Sequence, residues 1–229
     1  MNKKLFLFSL FLSFIIFSVA ETWHIASLNW EPYCGENLPD QGILVKKLRF
    51  ILKKKNIKLE VDYYPWGKSK KLAEGKDYIG YFPAWPEGVK KGFIASPSIG
   101  QSSIGIISYK DSDVECRDMR HLFKRHKVGL VKTYVYPKSI IKVMREYPKK
   151  TVFVKNEKVL IHMVSRKGIE AAVTDPLVSK FYSKKYKYNN IVTVAESVIK
   201  RPLVIAFQDT PENRERIKLL RKLLRKESE

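Results

Sequence analysis

The chain has 229 residues with 44 Lys and Arg against 23 Asp and Glu, a formal net charge of +21. Its 45% hydrophobic content excludes a disordered polar chain, and its length allows one large domain or two lobes, each big enough to bury a core. A basic excess of this size favours nucleic acid as a partner, and the stretch YSKKYKY (182–188) interleaves aromatics with lysines, but the first segment argues otherwise.

That segment, MNKKLFLFSLFLSFIIFSVA, sets Lys3 and Lys4 before an apolar stretch over 5–17 and ends in Ser18-Val19-Ala20. It is predicted to be a signal peptide cut after Ala20, leaving 209 of the 229 residues in a soluble exported protein. Export to the periplasm removes nucleic acid from the expected partners and leaves the lysines as a solvated face, with anionic wall or membrane polymers as a weaker attraction. Cys34 and Cys116 are the only cysteines. An oxidising compartment makes them a candidate disulfide, and the sequence leaves open whether they meet.

Thereafter the chain alternates. TWHIASL (22–28) is predicted as a strand, and a loop broken by Pro32, Gly35 and Pro39 follows. GILVKKLRFILKKKN (42–56) puts Leu44, Leu48, Ile51 and Leu52 on one helical face. IKLEVDYY (57–64) is a second strand, and PWGKSKKLAEGKDY (65–78) carries a short helix ended by Gly75. SIGIISYKDSD (103–113) begins as a strand. A second set follows: strand and loop in HKVGLVKTYVY (126–136), helix in KSIIKVMREY (138–147), strand in TVFVKN (151–156), helix in EKVLIHMVSRKG (157–168) and strand in IEAAVTDP (169–176). KRPLVIAF (200–207) is a late strand. PENRERIKLLRKLLRK (211–226) is a closing helix with Ile217, Leu220 and Leu224 on its apolar face. Strand and helix in alternation predict parallel α/β layers.

Signatures of catalysis are missing. His24, His121, His126 and His162 stand at no zinc-ligand spacing, and there is no GxSxG elbow, no GxxxxGK loop and no GxGxxG turn. No pair of carboxylates is placed for acid/base work, so the chain is expected to be a non-enzyme with no cofactor and no metal.

The order of local features resembles the family 3 extracellular solute-binding proteins, the periplasmic receptors of amino-acid ABC importers. The features are Trp30-Glu31-Pro32-Tyr33 after the first strand, Gly42 opening the first helix, Pro65-Trp66 after the second strand and Gly75-Lys76-Asp77 before the third. Ala95-Ser96-Pro97 and Ala172-Val173-Thr174-Asp175 complete the set. The resemblance implies an α/β, two-lobe periplasmic-binding-protein-like fold with a ligand cleft between the lobes. Lobe 1 would comprise 21–109 plus 196–229, and lobe 2 would comprise 110–195. It further implies a monomer that captures a small polar, amino-acid-like ligand and delivers it to an ABC permease in the inner membrane. The alternatives on the same scaffold are a non-transport sensing or interaction protein and a dehydratase-like enzyme.

Carried onto this sequence, the resemblance makes Trp30 and Trp66 walls of the ligand pocket, unless they are core. It makes Lys132, Thr133 and Tyr134 a donor loop in the second lobe. Asp175 becomes either the carboxylate that meets a ligand ammonium or the N-cap of a helix with Pro176 at its first position. One departure stands out. Relatives that bind α-amino acids carry an arginine for the α-carboxylate shortly before the Phe-Ser-x-Pro step, and here Glu87-Gly88-Val89 occupies that place. Three readings stay open: a ligand without a free α-carboxylate, substitution by Lys90 or Lys91, or loss of ligand binding.

Overall fold

The structure, a computed structural model, describes residues 21–226. The expected signal segment and its cleavage point after Ala20 lie outside the described residues. The first strand, β1 (Thr22–Ser27), lies between two parallel neighbours, β2 (Lys58–Tyr63) and β3 (Gly80–Ala84). Its alternating Trp23 and Ile25 stand opposite Leu59 and Val61, which puts one apolar face under helix α1 (Ile43–Lys53). That helix buries Leu44, Val45, Leu48, Ile51 and Leu52, the stripe its 3.6-residue period predicts. Gly42 at its start has φ +102°, and a Cβ there would lie 2.7 Å from the Tyr33 carbonyl, so the turn from loop to helix requires glycine. Helix α2 (Trp66–Leu72) connects β2 to β3, and the short β4 (Phe93–Ala95) follows.

β5 (Gly100–Tyr109) then crosses into a second layer. There α3 (Met119–Arg125), β6 (Val128–Val131), α4 (Lys138–Glu146), β7 (Thr151–Val154), α5 (Glu157–Ser165), β8 (Ala171–Thr174) and α6 (Pro176–Tyr186) repeat the alternation. β9 (Ile191–Gln208) crosses back, and α7 (Pro211–Arg225) closes on α1. The strand order is β2-β1-β3-β9-β5-β8-β6-β7, with β4 also paired to β9. The strands β2, β1, β3 and the strands β8, β6, β7 form two parallel groups, and the antiparallel β5 and β9 join them.

Three differences from expectation have local causes. β9 spans 18 residues where the apolar pattern marks only 200–207, because its first half pairs with β5 at the surface and needs no apolar alternation. α3 and α6 are too polar to stand out by period and are set by their caps, Asp118 accepting from His121 N and Asp175 accepting from Leu177 N and Val178 N. In α7 it is Leu223, not Leu224, that joins Ile217 and Leu220 as buried. The largest apolar core runs from Trp23 and Leu48 in the first layer through Trp30 and Tyr33 to Val131 and Leu160 in the second. The two lobes are therefore in contact across the cleft. No helix among the described residues is long and apolar enough to cross a membrane.

Candidate functional site

Six side chains sit just beyond the carboxyl ends of the six parallel strands and converge on one place. From the first lobe, Trp30 follows β1, Trp66 follows β2 and Trp85 follows β3. From the second, Tyr134 follows β6, Glu157 follows β7 and Asp175 follows β8. In open α/β sheets, loops at these ends form the crevice where ligands bind. Here two such crevices face each other. Trp30, Trp85 and Tyr134 wall two adjoining spaces: an open slot with a cavity volume of about 50 Å³ that also touches Trp66 and Lys70, and a nearly filled space of about 10 Å³ reaching Ser103, Glu157 and Asp175.

The lobes meet through side-chain hydrogen bonds. Trp30 Nε1 donates to Glu157 Oε2 at 2.5 Å, Tyr33 Oη donates to Asp175 Oδ2 at 2.8 Å, and Tyr182 Oη donates to Glu31 Oε2 at 2.5 Å. Three residues of one four-residue loop thus each hold a residue of the other lobe. Trp30 is only 7% exposed, tilted against the Tyr33 ring with centroids 4.5 Å apart and 6.5 Å from the Tyr134 ring. Because these contacts already close the cleft, a ligand reaches the inner space only when the lobes part, as in hinge closure.

The two carboxylates differ in their occupancy. Asp175, 4% exposed, accepts from Tyr33 Oη and Ser103 N on one oxygen and from Leu177 N and Val178 N on the other. A carboxylate offers about four acceptor positions, so Asp175 is full. Glu157, also 4% exposed, accepts from Trp30 Nε1, from Thr174 Oγ1 at 2.8 Å and from the Tyr134 hydroxyl, which leaves room for one more donor. Burial pushes the Glu157 carboxyl up to about 7, helped by the negative Asp175 and opposed by its hydrogen bonds. Burial raises Asp175 as well, against the pull of its four donors. Tyr33, Tyr134, Tyr136 and Tyr182 are all raised by burial and so stay neutral.

The structure brings Trp30, Trp66, Tyr134 and Asp175 of the predicted set to this place. Lys132 and Thr133 are not there: both are exposed, since the loop spends its inward direction on Tyr134. Lys90 pairs its Nζ with Glu74, and Lys91 is exposed in the turn before β4, so neither lines the cleft. Glu87, Gly88 and Val89 occupy the stretch expected to hold arginine. Cys34 and Cys116 are free thiols. Cys34 is sealed under β1, donating to the Leu28 carbonyl, while Cys116 lies beside Asp118 in the second lobe, so the disulfide expectation is corrected.

Sequence reasoning missed Trp85, Glu157, Lys70 and the cross-lobe roles of Glu31 and Tyr33. Asn156 caps α5 by accepting from Val159 N, which frees the Glu157 side chain to point into the cleft, a consequence of tertiary structure that no local pattern marks. Among the described residues no group of three or more His, Cys, Asp or Glu is placed to hold a metal ion.

The protein therefore has the two-lobe fold of the periplasmic binding proteins, with a cleft between the lobes. Solved structures share it over most of their length. A histidine kinase sensor domain with similarity to periplasmic binding proteins matches with TM-score 0.74 at 16% identity, over 91% of this chain and 94% of that one. An ancestral arginine-binding protein bound to arginine matches with TM-score 0.74 at 19% identity, over 90% and 91%. A structure for glutathione import via GshT and the cystine ABC importer TcyBC of Streptococcus mutans matches with TM-score 0.72 at 14% identity, over 91% of both chains. No family model and no curated protein matches the sequence.

Proposed function

We propose that the protein is an exported, periplasmic receptor that traps a small polar ligand between its lobes and delivers it to an ABC permease in the inner membrane. The observation that carries this reading is the convergence of six strand-end residues on one aromatic-walled cleft, bridged by hydrogen bonds that exist only when the lobes are closed. A ligand that contacts both lobes adds to those bonds in the closed state alone, which is what drives closure. The arginine-binding and glutathione-import structures of like fold support a small ligand and a transport role.

Ligand sensing is the second reading, favoured by Glu87-Gly88-Val89 in the stretch expected to hold arginine and by the likeness to a kinase sensor domain. Catalysis is less supported. Glu157 ionises near neutrality, but its buried partner Asp175 has every acceptor position engaged and cannot serve as a second acid or base without unmaking its cap.

Thermal-shift screening of the exported protein against amino acids, peptides, amines and carboxylates tests the proposal. A ligand at 100 times its dissociation constant stabilises by about 2.7 kcal/mol, an easily measured shift in melting temperature. Silence across the panel would overturn the receptor reading. Binding without uptake by a strain that carries the adjacent membrane machinery would favour sensing over transport.

A further inference from the structure

The charges in the cleft do not balance. The inner space is lined by Glu157 and Asp175 and by the hydroxyls of Ser103, Tyr134 and Tyr136, with no lysine or arginine in its wall. This is a closed acidic site in a chain of net charge +21. Lys90 pairs with Glu74, and Arg201, which does not line the inner space, pairs its Nη1 with Glu87 and leaves its Nε without a partner. Lys70 lines only the outer slot, 5.4 Å from the Trp66 ring centre. A buried carboxylate with no counter-charge is costly, and the missing partner is a cation.

We infer that the ligand is a protonated organic amine with an apolar body and no carboxylate on the carbon that bears the nitrogen, and that Glu157 is the residue that grips it. The inference rests on the small-ligand reading above. It assigns the grip to Glu157 because the oxygens of Asp175 are taken by the α6 backbone, Ser103 N and Tyr33, whereas Glu157 keeps an unused acceptor position. Trp30, Trp85 and Tyr134 surround the approach to Glu157 from the outer slot. Their ring faces attract an ammonium and their edges pack an alkyl or aromatic body, the combination that favours organic cations. An α-amino acid brings a second charge. Its carboxylate would lie within bonding distance of its own ammonium, beside two buried carboxylates, in a space whose wall holds no lysine or arginine. A carboxylate at the far end of the body would instead emerge near Lys70 and is tolerated.

Matched pairs that differ only by the α-carboxylate decide the matter: tyramine and tyrosine, agmatine and arginine, cadaverine and lysine, titrated calorimetrically into the exported protein at pH 8. The expected result is that at least one amine binds, at least about tenfold more tightly than its parent amino acid. Glu157→Gln, which keeps an acceptor for Trp30 and fills the same volume, should weaken that amine by about tenfold or more with an unchanged circular dichroism spectrum. The inference is overturned if an amino acid binds as tightly as its amine, or if Glu157→Gln leaves amine affinity unaltered. Should neutral or anionic ligands bind where amines do not, this inference falls and the receptor reading stands. Should nothing in the wider panel bind to the folded protein, both fall.

Discussion

Asp175 and Glu157 are alike in almost every respect that sequence can express. Each is an acid, each follows the carboxyl end of a parallel strand, each begins a helix, and each is 4% exposed. They differ by one position relative to the helix cap. Asp175 is the cap of α6, so two of its acceptor positions go to its own backbone and the rest to Ser103 N and Tyr33. Glu157 is one residue past Asn156, the cap of α5, so its carboxylate is spent on side chains alone and one position remains. The difference teaches that a buried acid at a helix start is structural or chemical according to whether it or its neighbour does the capping.

Removing Asp175 is the harshest way to break that contrast. Asp175→Ala loses a cap, which costs about 1 kcal/mol, and leaves the buried Tyr33 hydroxyl and Ser103 amide without an acceptor, at a further 1–3 kcal/mol or so. Urea denaturation should show a loss of about 3 kcal/mol. A loss under about 1 kcal/mol would mean that Asp175 is not structural and would return it to the list of ligand contacts.

The pH dependence of stability separates the two acids next. The folded carboxyl of Glu157 is raised from 4.5 to about 7, so the native state holds a proton that the unfolded chain releases earlier. Its contribution is fully present below about pH 4.5 and is lost as pH rises through about 7, by an amount on the order of 3 kcal/mol at most. Asp175 is displaced in the same direction and adds to the trend at lower pH. Glu157→Gln should flatten the fall between pH 5 and 8, and the variant should be at least as stable as the parent at pH 8. A parent protein whose denaturation midpoint is constant from pH 5 to 8 would show that Glu157 is ionised in the fold and has a counter-charge.

Much of the frame can be read in the sequence, because it follows from apolar periodicity. The α1 stripe of Leu44, Leu48, Ile51 and Leu52 and the alternation of β1 need nothing beyond local pattern. Trp30, Trp66 and Tyr134 came from the family resemblance, which carries them onto loops that follow strands. Glu157 was not legible, since its importance comes from Trp30, 127 residues away, and Thr174, 17 residues away, and no periodicity encodes such meetings. The loop Trp30-Glu31-Pro32-Tyr33 was read for its aromatic wall. That all three of its polar side chains reach the second lobe depends on lobe closure, a property of tertiary arrangement alone.

The smallest expected effect lies at the rim of that closure and tests whether the loop is a latch or merely core. Tyr182 Oη donates to Glu31 Oε2 in a partly buried contact far from either helix cap. Tyr182→Phe keeps the ring that stacks on Tyr186 at 6.0 Å and removes only the hydrogen bond. A bond made only in the closed state biases closure by its own net worth, about 1 kcal/mol, and shifts the ratio of closed to open lobes by about fivefold. Folding stability rests chiefly on the apolar core that runs through both layers, so removing one hydroxyl at its rim should move it far less. Distance measurements between labels on the two lobes should therefore show a larger open fraction, while the urea midpoint stays near that of the parent. If Tyr182→Phe lowers stability as much as Asp175→Ala does, the Glu31 contact is structural and not a latch, and the contrast between a structural acid and a gripping one loses its setting.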